Sequence, residues 1–361
     1  MDKIAILTWH YYNNFGSALQ AYALQEAVKE INPNVEVLNY QNKLYSGKPI
    51  MRVIQKIDFL YNIVCSLFNR KRSYKFYHFR KKYLRQTKLF QNADELKKAV
   101  VKYQSVIVGS DQIWAPNVFN PIYMLDFVNG KETRKISYAA SIGLEKIPDE
   151  LSTVYQNLLS DFSFISVRES QGKKLLSDKC SIEARVVLDP TLLIDSEKYK
   201  KIMLSVDLGD DKYVFCYFLN ENNEYRKQVE DYAQKHGLKI FGFSANPKDD
   251  NWLNSLSTLS PLEFLWVVDK AKAVFTDSYH GTIFSLLFHK EFFVFERFTN
   301  NDPICQNSRI RQLCDTFNIS DRILVNEKCY AQCQEYDYDF FEKRLAEEKK
   351  SSLNYLREAL K

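Results

Sequence analysis

Nowhere in this 361-residue chain is there a window approaching the roughly 18 apolar residues that a membrane-spanning helix needs. The opening, MDKIAILTWHYYNNFGSALQ, has no basic segment followed by a long apolar one, so a secretory leader is not expected. Both absences point to a cytoplasmic protein, at most peripheral at the inner face of a membrane. Cysteine is sparse and unpatterned: the seven are odd in number and no CxxC pair occurs. Cys329 and Cys333 have no second pair or nearby histidine to complete a zinc site, and reduced thiols are expected. GxGxxG, Walker and HExxH patterns are missing, as is the carboxylate cluster of a magnesium–phosphate site. Nucleotide binding by those routes is unsupported, and neither a metal nor a resident cofactor is expected. Net charge is only +5, short of a nucleic-acid footprint, so no nucleic-acid partner is expected.

What is present is alternation. KIAIL reads as a first strand and SALQAYALQEAVKEI as the helix after it, with Leu19, Ala23, Leu24, Ala27 and Val28 at helical spacing. VEVLNY, SVIVGS, KISYAASIG, FISVRE and ARVVLDPTLLI continue the series. A second series starts near residue 212 and includes KYVFCYFL, LKIFGFS, KAVFTDS and EFFVFERF, with helical patterns between them. Short apolar runs alternating with helices imply parallel sheets covered on both faces, hence an α/β protein of two Rossmann-like halves joined near residues 195–211. A basic helical insertion is expected at about 44–104 and a long amphipathic helix at 336–361. The densest basic run, 69–88, reads either as a solvated helix face or as a contact for an anionic lipid headgroup or carrier.

In open parallel sheets ligands bind beyond the C-terminal ends of strands. In YNNFGSALQ, Asn14 and Gly16 precede a helix whose free amides suit an anion or hydroxyls. In VGSDQIW, Ser110, Asp111 and Gln112 follow a buried strand, where a carboxylate and an amide can grip a diol and Trp114 can stack on a ring. Arg168 ends FISV and needs a carboxylate, either internal (Glu169 or Asp189) or on a ligand. His280, one of five histidines, stands in TDSYHGTIF between a strand and a helix; histidine is the residue type suited to proton transfer, Ser278 can bind an oxyanion, and Gly281 lets backbone approach a ligand. Arg297, Arg309 and Arg311 follow downstream, and a histidine with several arginines suggests a small, doubly anionic substrate handled by metal-free acid–base chemistry.

YYNNFGSALQAYAL, VGSDQIW, YAASIG, SVRE, LDPTLL, DSYHGTIFSLLF and NSRIRQLC, in this order over roughly residues 4–325, resemble the polysaccharide pyruvyl transferase family. The resemblance implies a GT-B-like pair of domains: 1–200 on the acceptor side, 201–335 on the donor side, and 336–361 packing back on the first. It implies phosphoenolpyruvate as co-substrate and a glycan or lipid-linked sugar as acceptor, with a pyruvate ketal formed. Carried onto this chain, His280 is the general acid and Arg168 binds the donor; Ser278, Gly281, Arg297 and Arg309 join the donor side, and Asn14, Gly16, Ser110, Asp111 and Gln112 the acceptor side. Some members carry an arginine where this chain has Ser278, and Arg309 or Arg297 is expected to supply that charge. Alternative readings are a nucleotide-sugar glycosyltransferase and a non-catalytic glycan-assembly protein.

Overall fold

The computed structural model describes residues 3–41, 71–220, 223–245, 252–298, 302, 305–325 and 328–361. The first sheet is built from β1 (Ile4–Leu7), β2 (Val35–Val37), β3 (Ser105–Val108) and β4 (Arg134–Ser137), in the order β2-β1-β3-β4 and parallel throughout. Isolated bridges at Ile136–Phe164 and Ala140–Val167 carry this layer on to β5 (Ser166–Val167) and β6 (Arg185–Val186). The second sheet runs β12-β11-β10-β7-β8-β9, from β7 (Tyr213–Phe218), β8 (Lys239–Ser244), β9 (Asn254–Ser255), β10 (Ala273–Thr276), β11 (Glu291–Phe295) and β12 (Ile323–Leu324). IAIL, SVIV and AVFT are buried along their whole length, as expected of strands covered on both faces.

The helices are α1 (Phe15–Ile31), α2 (71–83), α3 (Ala93–Val100), α4 (Asp149–Leu159), α5 (Ser170–Cys180), α6 (Ser196–Lys200), α7 (Asn223–His236), α8 (Pro261–Lys270), α9 (Tyr279–Leu287), α10 (Asn307–Phe317) and α11 (Tyr338–Ala359). Of the expected basic insertion, residues 44–70 lie outside the described residues; α2 and α3 form its helical remainder. ARVVLDPTLLI does not stay extended. It pairs only over β6 and then turns at Pro190–Leu192, because Asp189 caps the turn through the Thr191 amide and Pro190 has no N–H to donate. Among the described residues no helix is long and apolar enough to cross a membrane.

Strand order places the site. In the first sheet the order reverses between β1 and β3, and in the second between β7 and β10. Loops leaving these four strands open on one side and face each other across a cleft. The two sheets are tied beneath it by a shared aromatic core. Phe15, the first residue of α1, stacks on Phe264 of α8 at 4.5 Å and 9° and meets Tyr217 and Phe243 edge-on. α11 returns to the first sheet, where the Tyr355 hydroxyl donates to the Ser137 carbonyl (2.8 Å) and Ser352 Oγ accepts from the Leu188 amide (2.9 Å). Phe15→Ala should therefore cost about 3–5 kcal/mol, read as a lowered urea midpoint. An unchanged midpoint would mean that this contact does not join the domains.

Candidate active site

The cleft has a volume of about 1410 Å³ and takes its lining from both domains. Two helix N-termini face it. α1 is capped by Asn14, whose carbonyl oxygen accepts from the Ser17 amide at 3.0 Å. α9 is capped by Ser278, whose hydroxyl accepts from the Gly281 amide at 3.3 Å. Each end brings a partial positive charge to the same space. Behind Ser278, the Asp277 carboxylate accepts the amides of Leu219 and Asn220 at 2.8 and 2.9 Å, tying the end of β10 to that of β7. Burial pushes its pKa up to about 6, against the pull of those amides and of Arg297.

His280 lies one residue inside α9 and lines the cleft with its side chain mostly buried. Its imidazole is seated on Gly16: a Cβ there would lie 2.1 Å from Nδ1. Gly16 thus serves the site by making room for the histidine. His280 Nε2 stands 3.6 Å from Asp189 Oδ2 and has no hydrogen-bond partner. The same Asp189 oxygen accepts from Arg168 Nη1 at 2.9 Å, while Oδ1 takes the amide and hydroxyl of Thr191 at 3.0 and 2.7 Å. Burial opposes ionisation of Asp189, but His280, Arg168 and the Thr191 amide outweigh it and hold the carboxyl well below its usual range. Sequence reasoning placed Asp189 at a strand end without giving it a role in the site; its spacing after Arg168 was the available signal.

The arginines divide into two kinds. Arg168 is enclosed, paired with Asp189 and packed 4.5 Å from the centre of the Tyr279 ring; it stands behind the cleft and does not line it. Arg309 and Arg297 do line it, and neither has a carboxylate within ion-pair distance among the described residues. The Gln306 carbonyl gathers them, at 2.6 Å from Arg309 Nη2 and 3.4 Å from Arg297 Nη2. Their Nε atoms are buried without partners. Burial, together with the charges of Arg168 and Arg297, pushes the Arg309 pKa down to about 9. Arg311 turns away and pairs with Glu296 at 2.7 Å.

On the first-domain side Asp111 and Gln112 line the cleft, and Ser17 Oγ donates to Asp111 Oδ2 at 2.6 Å. Asp111 sits at φ 71°, which turns its side chain out of the strand direction. Ser110 is fully buried beneath the cleft, donating to the Ala139 carbonyl at 3.0 Å and facing Asp189 at 3.4 Å. Trp114, expected to offer a stacking face, is fully buried, and its Nε1 donates to the Tyr123 carbonyl at 2.8 Å. The accessible aromatic faces belong instead to Trp9, Tyr11, Tyr12 and Phe119, which sequence reasoning did not single out. Gly281 also has a packing reason: a Cβ there would lie 2.4 Å from Thr276 Oγ1, so the residue is pressed against β10 and does not approach the cleft.

A family model described as polysaccharide pyruvyl transferase matches residues 14–297, and the chain belongs to that family. No curated protein matches the chain at a significant level. Among solved structures, the UDP-N-acetylglucosamine 2-epimerase from Rickettsia bellii is similar with a TM-score of 0.53 and 10% identity, covering 98% of this chain and 96% of that one. The UDP-GlcNAc 2-epimerase from Neisseria meningitidis bound to UDP-GlcNAc gives 0.50 and 12%, covering 99% and 94%. These neighbours show the fold, which is of the GT-B type expected from the sequence.

Replacing Asp189 removes the 2.9 Å partner of buried Arg168 and leaves it only Glu169, 3.8 Å away. Asp189→Asn should cost about 3–5 kcal/mol at neutral pH. A depressed carboxyl stabilises the fold above its ordinary value of 3.8, and that contribution is lost as pH falls below it. Thermal unfolding across pH should show wild type losing its advantage over the variant on acidification; parallel profiles would sink the assignment.

Proposed function

From membership of this family and the cleft just described, we propose that the chain transfers the enolpyruvyl group of phosphoenolpyruvate onto two hydroxyls of a sugar. The sugar belongs to a surface polysaccharide, capsular or exopolysaccharide, or to its lipid-linked precursor. A pyruvate ketal forms and phosphate is released. The observation that carries this reading is the pair Arg309 and Arg297, two cleft-lining cations without a carboxylate partner among the described residues, beside His280 and the N-terminus of α9. Guanidiniums left without an ion-pair partner among the described residues suit a small ligand that brings its own phosphate and carboxylate.

In this scheme His280 gives a proton to the CH₂ carbon of phosphoenolpyruvate, and C2 becomes electrophilic. A sugar hydroxyl adds to C2 and returns its proton to the imidazole. The bond from C2 to the phosphate oxygen breaks, the second hydroxyl closes the ring, and its proton leaves with the phosphate. Asp189 Oδ2, 3.6 Å from His280 Nε2, fixes the position of the imidazole. Arg309, Arg297 and the α9 amides meet the phosphate and carboxylate. Asp111, Gln112 and Asn14 position the hydroxyls, and Trp9 and Tyr12 offer their faces to sugar rings. Among the described residues the lysines and arginines lining the cleft are Arg297 and Arg309 alone, so the aromatic arm is suited to neutral sugars. The scattered cysteines and the ionic donor fit a reducing, cytoplasmic setting.

Phosphate release from phosphoenolpyruvate with a panel of glycan and lipid-linked acceptors tests the reaction. His280→Ala should lower it roughly 10²–10⁴-fold; full activity in that variant would remove the assigned acid. Thermal stabilisation by a nucleoside diphosphate sugar but not by phosphoenolpyruvate would favour a glycosyltransferase instead.

Arg309→Met should behave unlike Arg168→Met. With no carboxylate to strand, Arg309→Met should leave the ligand-free melting temperature unchanged or raised, while abolishing stabilisation by phosphoenolpyruvate. Arg168→Met strands Asp189 and should melt lower even without ligand. Equal destabilisation by both would contradict the division drawn between the two arginines.

A further inference from the structure

From Phe59 to Ala93 the sequence contains no aspartate or glutamate, and this stretch holds Arg70, Lys71, Arg72, Lys75, Arg80, Lys81, Lys82, Arg85 and Lys88. The described part, α2 and the segment after it, sorts these charges by face. One face is spent on the fold. Arg72 is buried over the Phe15 and Phe243 rings and donates to the Asn13 carbonyl at 2.8 Å. Phe76 and Phe79 are buried beside it, and Lys75 reaches across to Glu263 of α8 at 2.7 Å. The other face is left to solvent. Lys71, Tyr74, His78 and Lys81 recur at helical spacing, flanked by Tyr77, Lys82, Arg85 and Lys88, all exposed.

None of the five exposed cations Lys71, Lys81, Lys82, Arg85 and Lys88 has a carboxylate partner among the described residues. Elsewhere on the surface most ion pairs join exposed lysines or arginines to nearby acids. Tyr74 and Tyr77 expose 64% and 48% of their surface among these cations, with Lys81 Nζ 5.5 Å from the Tyr77 ring centre. On the folded surface these cations make, among the described residues, only exposed cation–π contacts and one backbone hydrogen bond. An anionic bilayer suits the combination: lysine and arginine meet its headgroups, and tyrosine settles at the boundary of headgroup and acyl chain. Asn13, which lines the cleft, donates to Ser73 Oγ of α2 at 2.8 Å, so this face adjoins the cleft mouth.

We propose that the exposed face of α2, Lys71–Tyr74–Tyr77–His78–Lys81–Lys82 with Arg85 and Lys88, docks the protein on an anionic membrane surface and holds the cleft mouth beside it. The proposal stands whatever reaction the cleft performs. Flotation with vesicles tests it, comparing phosphatidylcholine containing phosphatidylglycerol with phosphatidylcholine alone. Wild type should float only with the anionic vesicles and be released by salt, since exposed charges are screened within about 10 Å at 0.1 M. Each exposed cation should contribute about fivefold in affinity. Lys81→Glu with Lys82→Glu should then weaken binding about 25-fold or more, while Lys173→Glu with Lys174→Glu on α5, an equal change of net charge, should leave it near wild type. Tyr74→Ser with Tyr77→Ser should weaken binding at every salt concentration. Equal losses in the two charge-reversal variants, or equal binding to both vesicle types, would overturn the proposal, as would binding to RNA without binding to vesicles. Phosphate release with a soluble acceptor should be unchanged in Lys81→Glu with Lys82→Glu, which separates a failure of docking from a failure of the cleft.

Discussion

One carboxylate organises this site. Asp189 is enclosed on all sides and receives Arg168 from the end of β5, Thr191 from its own turn, and His280 from α9 of the other domain. A charge so deeply removed from water survives only where opposite charge and amide donors replace its hydration. The interaction therefore acts in two directions. It keeps Arg168 and Asp189 ionised inside the protein, and it aims the imidazole at the cleft from beneath. The turn that presents Asp189 is fastened in turn: Tyr199 donates to the Thr191 carbonyl and Tyr138 to that of Leu188, both at 3.0 Å. Buried tyrosines spend their hydroxyls here on positioning a carboxylate.

Because Asp189 belongs to the first domain and His280 to the second, the site exists only while the domains are held together. The aromatic core supplies that hold. Phe15 reaches from α1 into the cluster of Tyr217, Phe243 and Phe264, and the next residue, Gly16, lets the imidazole rest on the α1 backbone. The two adjacent positions do opposite things for one purpose: the larger fills the interface and the smaller leaves room in it. This couples packing to chemistry, since a shift of α1 that loosens Phe15 also moves the surface supporting His280.

Much of this arrangement was legible in the sequence, and for a definite reason. Hydrophobic periodicity marks where strands end, and parallel α/β sheets put their sites there, so Asn14, Asp111, Gln112, Ser278 and His280 could be picked out before any coordinates. What periodicity cannot tell is which way a strand-end residue faces. Trp114 and Ser110 stand in the same short motif as Asp111, yet both turn into the core. Gly281 sits beside His280 in sequence but is packed against Thr276. Arg168 had Glu169, Asp189 or a ligand as candidate partners in the sequence, and only the fold shows that it pairs with Asp189, 21 positions away beyond β6. The accessible aromatic wall of Trp9, Tyr11 and Tyr12 was hidden because high aromatic content is ordinary in cores.

The position of Ser278 shows how local and tertiary demands meet. α9 begins inside the protein, where its first amides need an acceptor, and the Ser278 hydroxyl supplies one to Gly281. A long cationic side chain at this position could not close that cap. The arginines that line the cleft stand instead on α10 and on the segment after β11, Arg309 and Arg297, with Gln306 between them. The two guanidiniums are joined by the Gln306 amide and, among the described residues, by no carboxylate. A carboxylate there would neutralise the two guanidiniums; an amide holds their geometry and leaves them charged.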